Sequence, residues 1–154
     1  MPADDRDDGP AERRRWMSVL ALAPTDALEA CWAAVSGSPP YRLLRRPEVG
    51  LVMVRARAGG TGVRFNLGEM TVTRCTVQLE GGTLGHAWIG GRDPRHAELA
   101  AVFDALLQEP AWRRALIESV VEPLARAGEE RRQAAAARAA SSRVEFFTMV
   151  RGED

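Results

Sequence analysis

The chain has 154 residues, the length of one ordinary domain, and 45% of them are hydrophobic, so a core can form. Its 21 acidic residues balance 21 basic residues, which excludes a general attraction to nucleic acid or to an anionic membrane. Every basic residue is an arginine. Because lysine is absent, a Walker A phosphate loop and a Schiff-base enzyme are excluded as well.

The start of the chain is acidic. Residues 1–10 have little to bury, and they are predicted to form a disordered tail before a single domain at 11–154. This start has no basic and apolar leader, and no apolar run is long enough to span a membrane, so we expect a cytoplasmic protein. The two cysteines, Cys31 and Cys75, are predicted to be buried thiols.

Two short helices are predicted at the beginning of the domain. Apolar residues recur with helical spacing from Glu12 to Ala23, and Pro24 ends this helix. Thr25 is a natural N-cap for a second helix with the same spacing. The segment 36–40, which reads SGSPP, would end it.

The centre of the chain changes to the two-residue period of strands. Apolar, β-branched runs separated by glycine predict strands at 49–58, 63–67, 70–79 and 84–89. A parallel crossover needs a dozen or more residues, so these short connections favour an antiparallel meander of about four strands. The parity of the apolar residues changes near Thr73 and Arg74, which indicates either a bulge or a strand covered on both faces.

Helices return after Pro94. The next stretch has a clear apolar stripe, and Pro110 opens another helix that Pro123 should kink or break. Residues 128–142 favour a helix by composition, but without large apolar side chains this helix would be marginal alone. The pattern of residues 143–150 is β-like, and it predicts either a strand that completes the sheet or an arm that docks on a partner. The predicted class is α+β, with a central, mostly antiparallel sheet flanked by N-terminal and C-terminal helices.

Few residues suggest chemistry. The two histidines lie in no metal-ligand pattern, and no nucleophile and base are suitably spaced. His96 is expected at the edge of the core, whereas His86 is either a polar core group or a site residue. The strongest cluster consists of arginines on adjacent predicted strands: Arg55, Arg57, Arg64 and Arg74. On one sheet face they would clamp a polyphosphate or pair with acidic neighbours, and backbone groups of the glycine loop 59–62 would add an anion nest or simply form a tight turn.

The string RRPEVGLVMVRARAGGTGVRFNLGEMTVTRCTVQL, at 45–79, resembles the signature of the G component of the bacterial phosphonate carbon-phosphorus lyase system. Shorter segments resemble the same family in the same order: Gly85–Ala87, Gly91–Asp93, His96–Ala100 and the final VEFFTMVRGE. The resemblance extends from about Arg14 to Glu153. It implies membership of that family.

The resemblance also implies a place in a cytoplasmic core complex. The H, I and J components of the system would be the main partners, with the ATPase-like K and L components more peripheral. In that family, the G, H, I and L components act in displacing adenine from MgATP by a phosphonate, which gives ribose 1-methylphosphonate 5-triphosphate. The I component is associated with nucleosidase chemistry, and the J component with radical cleavage of the carbon-phosphorus bond. This chain is expected to bind no cofactor or metal itself, and its two cysteines cannot hold a Cys-ligated four-iron cluster.

Six polar residues in the matching segments form the expected functional face: Arg64, Asn66, Glu69, Thr71, Arg74 and His86. Arg64 and Arg74 would contact triphosphate, phosphonate or an acidic strip of a partner, and Glu69 would orient one of them. Binding to a partner protein is the alternative role for each. No catalytic residue is expected, and the chain is not expected to be active alone. The alternative function is a purely structural adaptor that stabilises the nucleosidase-like I component without touching ligand.

Overall fold

The computed structural model describes residues 9–141 of the chain. Within this range, three β-strands lie between two N-terminal and three C-terminal α-helices. Their order is α1 (Gly9–Leu22), α2 (Thr25–Ala34), β1 (Tyr41–Arg57), β2 (Arg64–Leu79), β3 (Leu84–Gly90), α3 (Pro94–Gln108), α4 (Pro110–Leu116) and α5 (Glu122–Ser141). The predicted α+β class is confirmed. The first helix begins at Gly9, inside the stretch predicted as a tail.

The sheet is antiparallel, with the order β1-β2-β3. Within residues 9–141 it has three strands rather than about four, because the runs predicted at 63–67 and 70–79 belong to the single strand β2. Val54 pairs with Gly68 and Arg55 pairs with Asn66, which leaves Leu67 as an extra residue opposite β1. Such a bulge bends a strand without ending it.

The strand β1 begins at Tyr41, earlier than predicted, and contains Pro47. An edge strand tolerates proline because its outer N–H groups have no ladder partner. The register of β1 against β2 also shifts between Arg45 and Glu48, on either side of Pro47. This irregularity lies opposite Cys75, close to the bulge that was predicted in β2, but the extra residue is in β1.

The parity change in β2 has a different cause. Thr73 occupies a buried position on the core face, so the apolar pattern on that face starts only at Cys75. Val72, on the opposite face, is buried as well. The strand is therefore covered on both faces at this point, which was the second of the two predicted explanations.

The helix α3 covers one face of the sheet. Residues of β2 and β3 pack in one core with its stripe and with α1 and α2; the largest of these buried side chains are Trp16, Leu20, Leu28, Val77, Ile89, Leu99, Phe103, Leu106 and Leu107. Gly85 allows close approach of β3 to α3, because a Cβ there would overlap with the carbonyl oxygen of Ala101.

A π-helical turn, Ile117–Val121, joins α4 to α5, where the sequence predicted a kink or break at Pro123. The N–H of Glu122 donates to the carbonyl of Ile117 across this wider turn. The turn lets the helix continue through Pro123, whose ring and missing N–H do not fit a regular α-helix. Residues 129–141 of α5 are exposed. The stretch whose helix was predicted to be marginal alone is nevertheless helical up to Ser141.

Two predictions lie outside the described residues. They are the acidic stretch 1–8 and the β-like segment 143–150. Within 9–141, none of the helices combines the length and the apolar character that crossing a membrane would need.

Candidate functional site

The strands β1 and β2 form a hairpin that extends beyond the three-stranded sheet. β3 pairs with β2 only as far as Val72, so residues 51–57 pair with 64–71 alone. At about 3.3 Å per residue, this two-stranded ribbon is about 20 Å long. None of the residues 51–71, which we call the hairpin arm, is buried.

Four of the six predicted site residues lie on one face of the hairpin arm. Paired residues of antiparallel strands project to the same face, and the pairs here are Leu51–Thr71, Met53–Glu69, Arg55–Asn66 and Arg57–Arg64. The bulge at Leu67 shifts the parity of β2, which brings Arg64 and Asn66 to the face of Glu69 and Thr71. We call this the helix-side face, because it continues the sheet face that α3 covers.

Three arginines gather at the tip of the helix-side face. Arg55 and Arg57 are neighbours on this face of β1, and Arg64 is directly opposite Arg57. Like charges in this position destabilise a ribbon. Arg57 donates from Nη1 to the carbonyl of Gly62 at 3.5 Å. Within the described part of the chain, neither Arg55 nor Arg64 has an ion-pair partner.

Arg74 lies on the opposite face of the sheet. Its Nε donates to Oε2 of Glu48 at 3.0 Å, and its Nη2 lies in an ion pair 2.9 Å from the same oxygen. Its guanidinium stands 5.6 Å from the ring centroid of Trp88. The hydrogen bonds from Arg74 and Arg45 hold the pKa of Glu48 below its ordinary value. Glu69, which was expected to orient Arg64 or Arg74, forms no ion pair with either. Sequence reasoning missed Glu48 in this role.

His86 shares the sheet face of Arg74 but not its contacts. Its half-buried ring has Nδ1 3.1 Å from Oγ1 of Thr76, its partner across the sheet. With Trp88 and Met17, it lines a concavity of about 210 Å³ between β3 and α1. His96 is a structural residue, as predicted, because its buried ring donates from Nε2 to the carbonyl of Leu20 at 2.8 Å.

A chain of hydrogen bonds ties the base of the hairpin arm to the helices. The Thr73 hydroxyl donates to the carbonyl of Gly91 at 2.7 Å and accepts from the N–H of Asp93 at 3.1 Å. The Asp93 carboxylate then caps α3 by accepting from the N–H of His96, and it accepts from the Thr25 hydroxyl at 2.6 Å. These two bonds, that from Thr25 first, lower the pKa of Asp93. The arm is therefore fixed at its base.

The main buried polar centre is Asp104 of α3, which sequence reasoning did not find. Its fully buried carboxylate accepts from Nε and Nη2 of Arg13 at 3.1 and 2.8 Å, from the Trp16 indole at 2.9 Å and from the N–H of His86 at 2.9 Å. An aspartate inside an apolar helical stripe was the only available signal. The network joins α1, α3 and β3, which is a structural role.

The described residues contain no group of three or more His, Cys, Asp or Glu side chains that could hold a metal ion. Both cysteines are free, and Cys75 is buried whereas Cys31 is half-buried. Burial raises the pKa of the Cys75 thiol to about 11. A neutral, buried thiol of this kind is inert as a nucleophile.

Comparison with known proteins adds the family. Residues 11–152 match the family model described as phosphonate metabolism protein PhnG. The chain belongs to the PhnG family. A relative from Rhizobium meliloti (strain 1021), named alpha-D-ribose 1-methylphosphonate 5-triphosphate synthase subunit PhnG, is 48% identical over 150 residues. The alignment covers 96% of this chain and 94% of the relative.

The PhnG match confirms the resemblance that the string at 45–79 suggested. The matched range contains the hairpin arm, Arg74 and His86. It also contains the helical body with Asp104. The family match therefore covers the helical body of the protein as well as the hairpin arm.

Proposed function

We propose that this chain is a non-autonomous subunit of a complex in which a phosphonate displaces adenine from MgATP. The reaction gives ribose 1-methylphosphonate 5-triphosphate when the phosphonate is methylphosphonate. An oxygen of the phosphonate bonds to C1′ of the ribose while the bond from C1′ to adenine breaks, and adenine leaves. The observation that carries the proposal is the 48% identity, over nearly all of both chains, to a relative named as a subunit of that synthase.

The division of labour in the complex follows the family resemblance. The I, H and J components would be the direct partners, the K and L components would be peripheral, and MgATP would be a substrate of the assembly rather than a cofactor of this chain. The long, exposed hairpin arm supports a role that requires partner proteins. None of its residues is buried, so it adds no buried core to a monomer.

Within that role, Arg74 is the best-placed residue for contact with triphosphate or phosphonate. Glu48 and Trp88 hold its guanidinium in place, and its Nη1 group has no acceptor among the described residues. A planar guanidinium held in this way binds phosphate oxygens without first being ordered. His86 would complete this surface from the neighbouring strand.

The purely structural adaptor remains the second candidate, and the exposed arm favours it. The Arg74→Ala variant, tested in the reconstituted complex, distinguishes the ligand-contacting subunit from the structural adaptor. The first proposal expects the complex to assemble while phosphonate transfer is lost. Unchanged turnover, or loss of assembly, would contradict a ligand-contacting role. Arg42→Ala is the matched control, because Arg42 lies on the same sheet face and pairs with Gln78.

Genetic replacement tests the function as a whole. The gene for this chain would be placed in a bacterium that lacks its own family member, with methylphosphonate as the only source of phosphorus. We expect growth to be restored to the extent that the Rhizobium meliloti relative restores it. No growth with this chain, when the relative supports growth and both proteins are present at equal levels, would contradict the proposal.

A further inference from the structure

The hairpin arm exposes large apolar side chains on both of its faces. Leu51 and Met53 on the helix-side face are 62% and 52% exposed, and Phe65 and Met70 on the opposite face are 46% and 43% exposed. Val63 and Leu67 are exposed as well. Soluble monomers rarely leave a continuous apolar patch of more than a few hundred Å² in water. A ribbon that is apolar on both faces indicates insertion into a partner rather than lateral contact with one.

The charge of the arm indicates the chemistry of that partner. Arg55, Arg57 and Arg64 share the helix-side face near the tip, and only Glu69 on that face is acidic. The pairing of Arg57 with Arg64 costs stability in the free chain. Carboxylates that approach from outside would remove this repulsion and form paired hydrogen bonds with the guanidinium groups.

We propose that the hairpin arm inserts into a companion protein of the complex and that Arg55, Arg57 and Arg64 bind an acidic strip of that companion. This inference rests on the proposed function, because it takes the companion from the same complex. It assigns Arg64 to the partner, whereas Arg74, on the other face, is left for ligand.

The shape of the arm favours a protein over a small anion. A site for a small ligand is concave and buries most of the ligand. The tip is a two-stranded ribbon without buried residues, so it has no walls that would enclose a phosphate. Leu51 and Met53, on the same face as the arginines, need an apolar surface that only a macromolecule provides.

The test is co-expression of the full chain with its companion synthase proteins, followed by copurification and measurement of the dissociation constant. The tip variant is Arg55→Glu/Arg64→Glu. The control is Arg14→Glu/Arg131→Glu, which makes the same change in charge at exposed helical positions. Leu51→Ser/Met53→Ser tests whether the exposed apolar side chains of the helix-side face contribute to this binding. Circular dichroism and the urea midpoint of each isolated variant verify folding.

We expect the tip variant to bind at least tenfold more weakly than the wild type, and the control to remain within about twofold. Higher salt should weaken companion binding by the wild type more than binding by the tip variant. Equal assembly of the tip variant would overturn the inference alone, whereas a wild-type chain that binds no companion would overturn the proposed function too. Binding of inorganic triphosphate by the isolated chain, lost in the tip variant, would identify a small-anion site instead.

Discussion

Replacing Asp104 should destabilise the protein more than replacing any exposed charged residue would. Its carboxylate is fully buried and accepts hydrogen bonds from Arg13, Trp16 and the backbone of His86. In Asp104→Ala, the indole N–H of Trp16 and the N–H of His86 both lose their acceptor in places that water does not reach freely. Each unsatisfied donor of this kind costs about 1–3 kcal/mol.

Arg13 contributes less to the loss. Its side chain is 33% exposed, so its guanidinium can regain water when the carboxylate is gone. The expected total is therefore about 3–5 kcal/mol, the usual cost of removing one partner of a buried pair. This is a large part of the roughly 5–15 kcal/mol that stabilises an ordinary domain.

Urea unfolding of the full-length chain, followed by tryptophan fluorescence, measures the difference in the free energy of unfolding. Glu118→Ala is the control, because its ion pair with Arg114 is exposed on both sides and should contribute no more than about 0.5 kcal/mol. A loss below about 1 kcal/mol for Asp104→Ala would refute the reasoning that the carboxylate organises the core.

Three further changes test other parts of the structure. Gly85→Ala should cost at least about 2 kcal/mol in urea unfolding, because the new Cβ overlaps with the backbone of α3, whereas Gly81→Ala has open space and should change little. Thr25→Val should cost about 0.5 kcal/mol at pH 7, a modest value because Asp93 is only partly buried. The pKa of Asp93 is lowered on folding, so its stabilising contribution is present above about pH 4 and is lost as the pH falls through the folded pKa. The difference between Thr25→Val and the wild type should therefore shrink in acid, and a constant difference would contradict this assignment. Removing residues from Arg143 onward should release the chain from the I component in a copurification experiment, and a shortened chain that still copurifies would disprove docking by the C-terminal segment.

The sequence predicted those elements whose signals are local. The helical stripes at Leu28 and Phe103 and the prolines at 94 and 110 predicted helices that the structure contains. The strand count was too high because Gly68 suggests a turn, whereas a bulge at Leu67 absorbs it within β2. A wider helical turn before Pro123 likewise replaced a break, and nothing in the local sequence distinguishes these outcomes.

The candidate site was harder to predict, because its geometry depends on pairing between distant residues. Arg13 and Asp104 are separated by 91 positions, and Glu48 and Arg74 by 26. Alternation along β2 could not show that Arg64 and Arg74 lie on opposite faces, since the bulge between them changes the parity. The sequence did identify the arginines themselves, and the register then distributed them between the two faces.

Reconstitution of adenine release tests the central claim most directly. The H, I and L components would be combined with MgATP and methylphosphonate, with and without this chain, and free adenine would be measured over time. We predict phosphonate-dependent adenine release in which ribose 1-methylphosphonate 5-triphosphate accumulates only when the chain is present. Equal formation of this product without the chain, or adenine release that yields only ribose 5-triphosphate in both mixtures, would contradict the account.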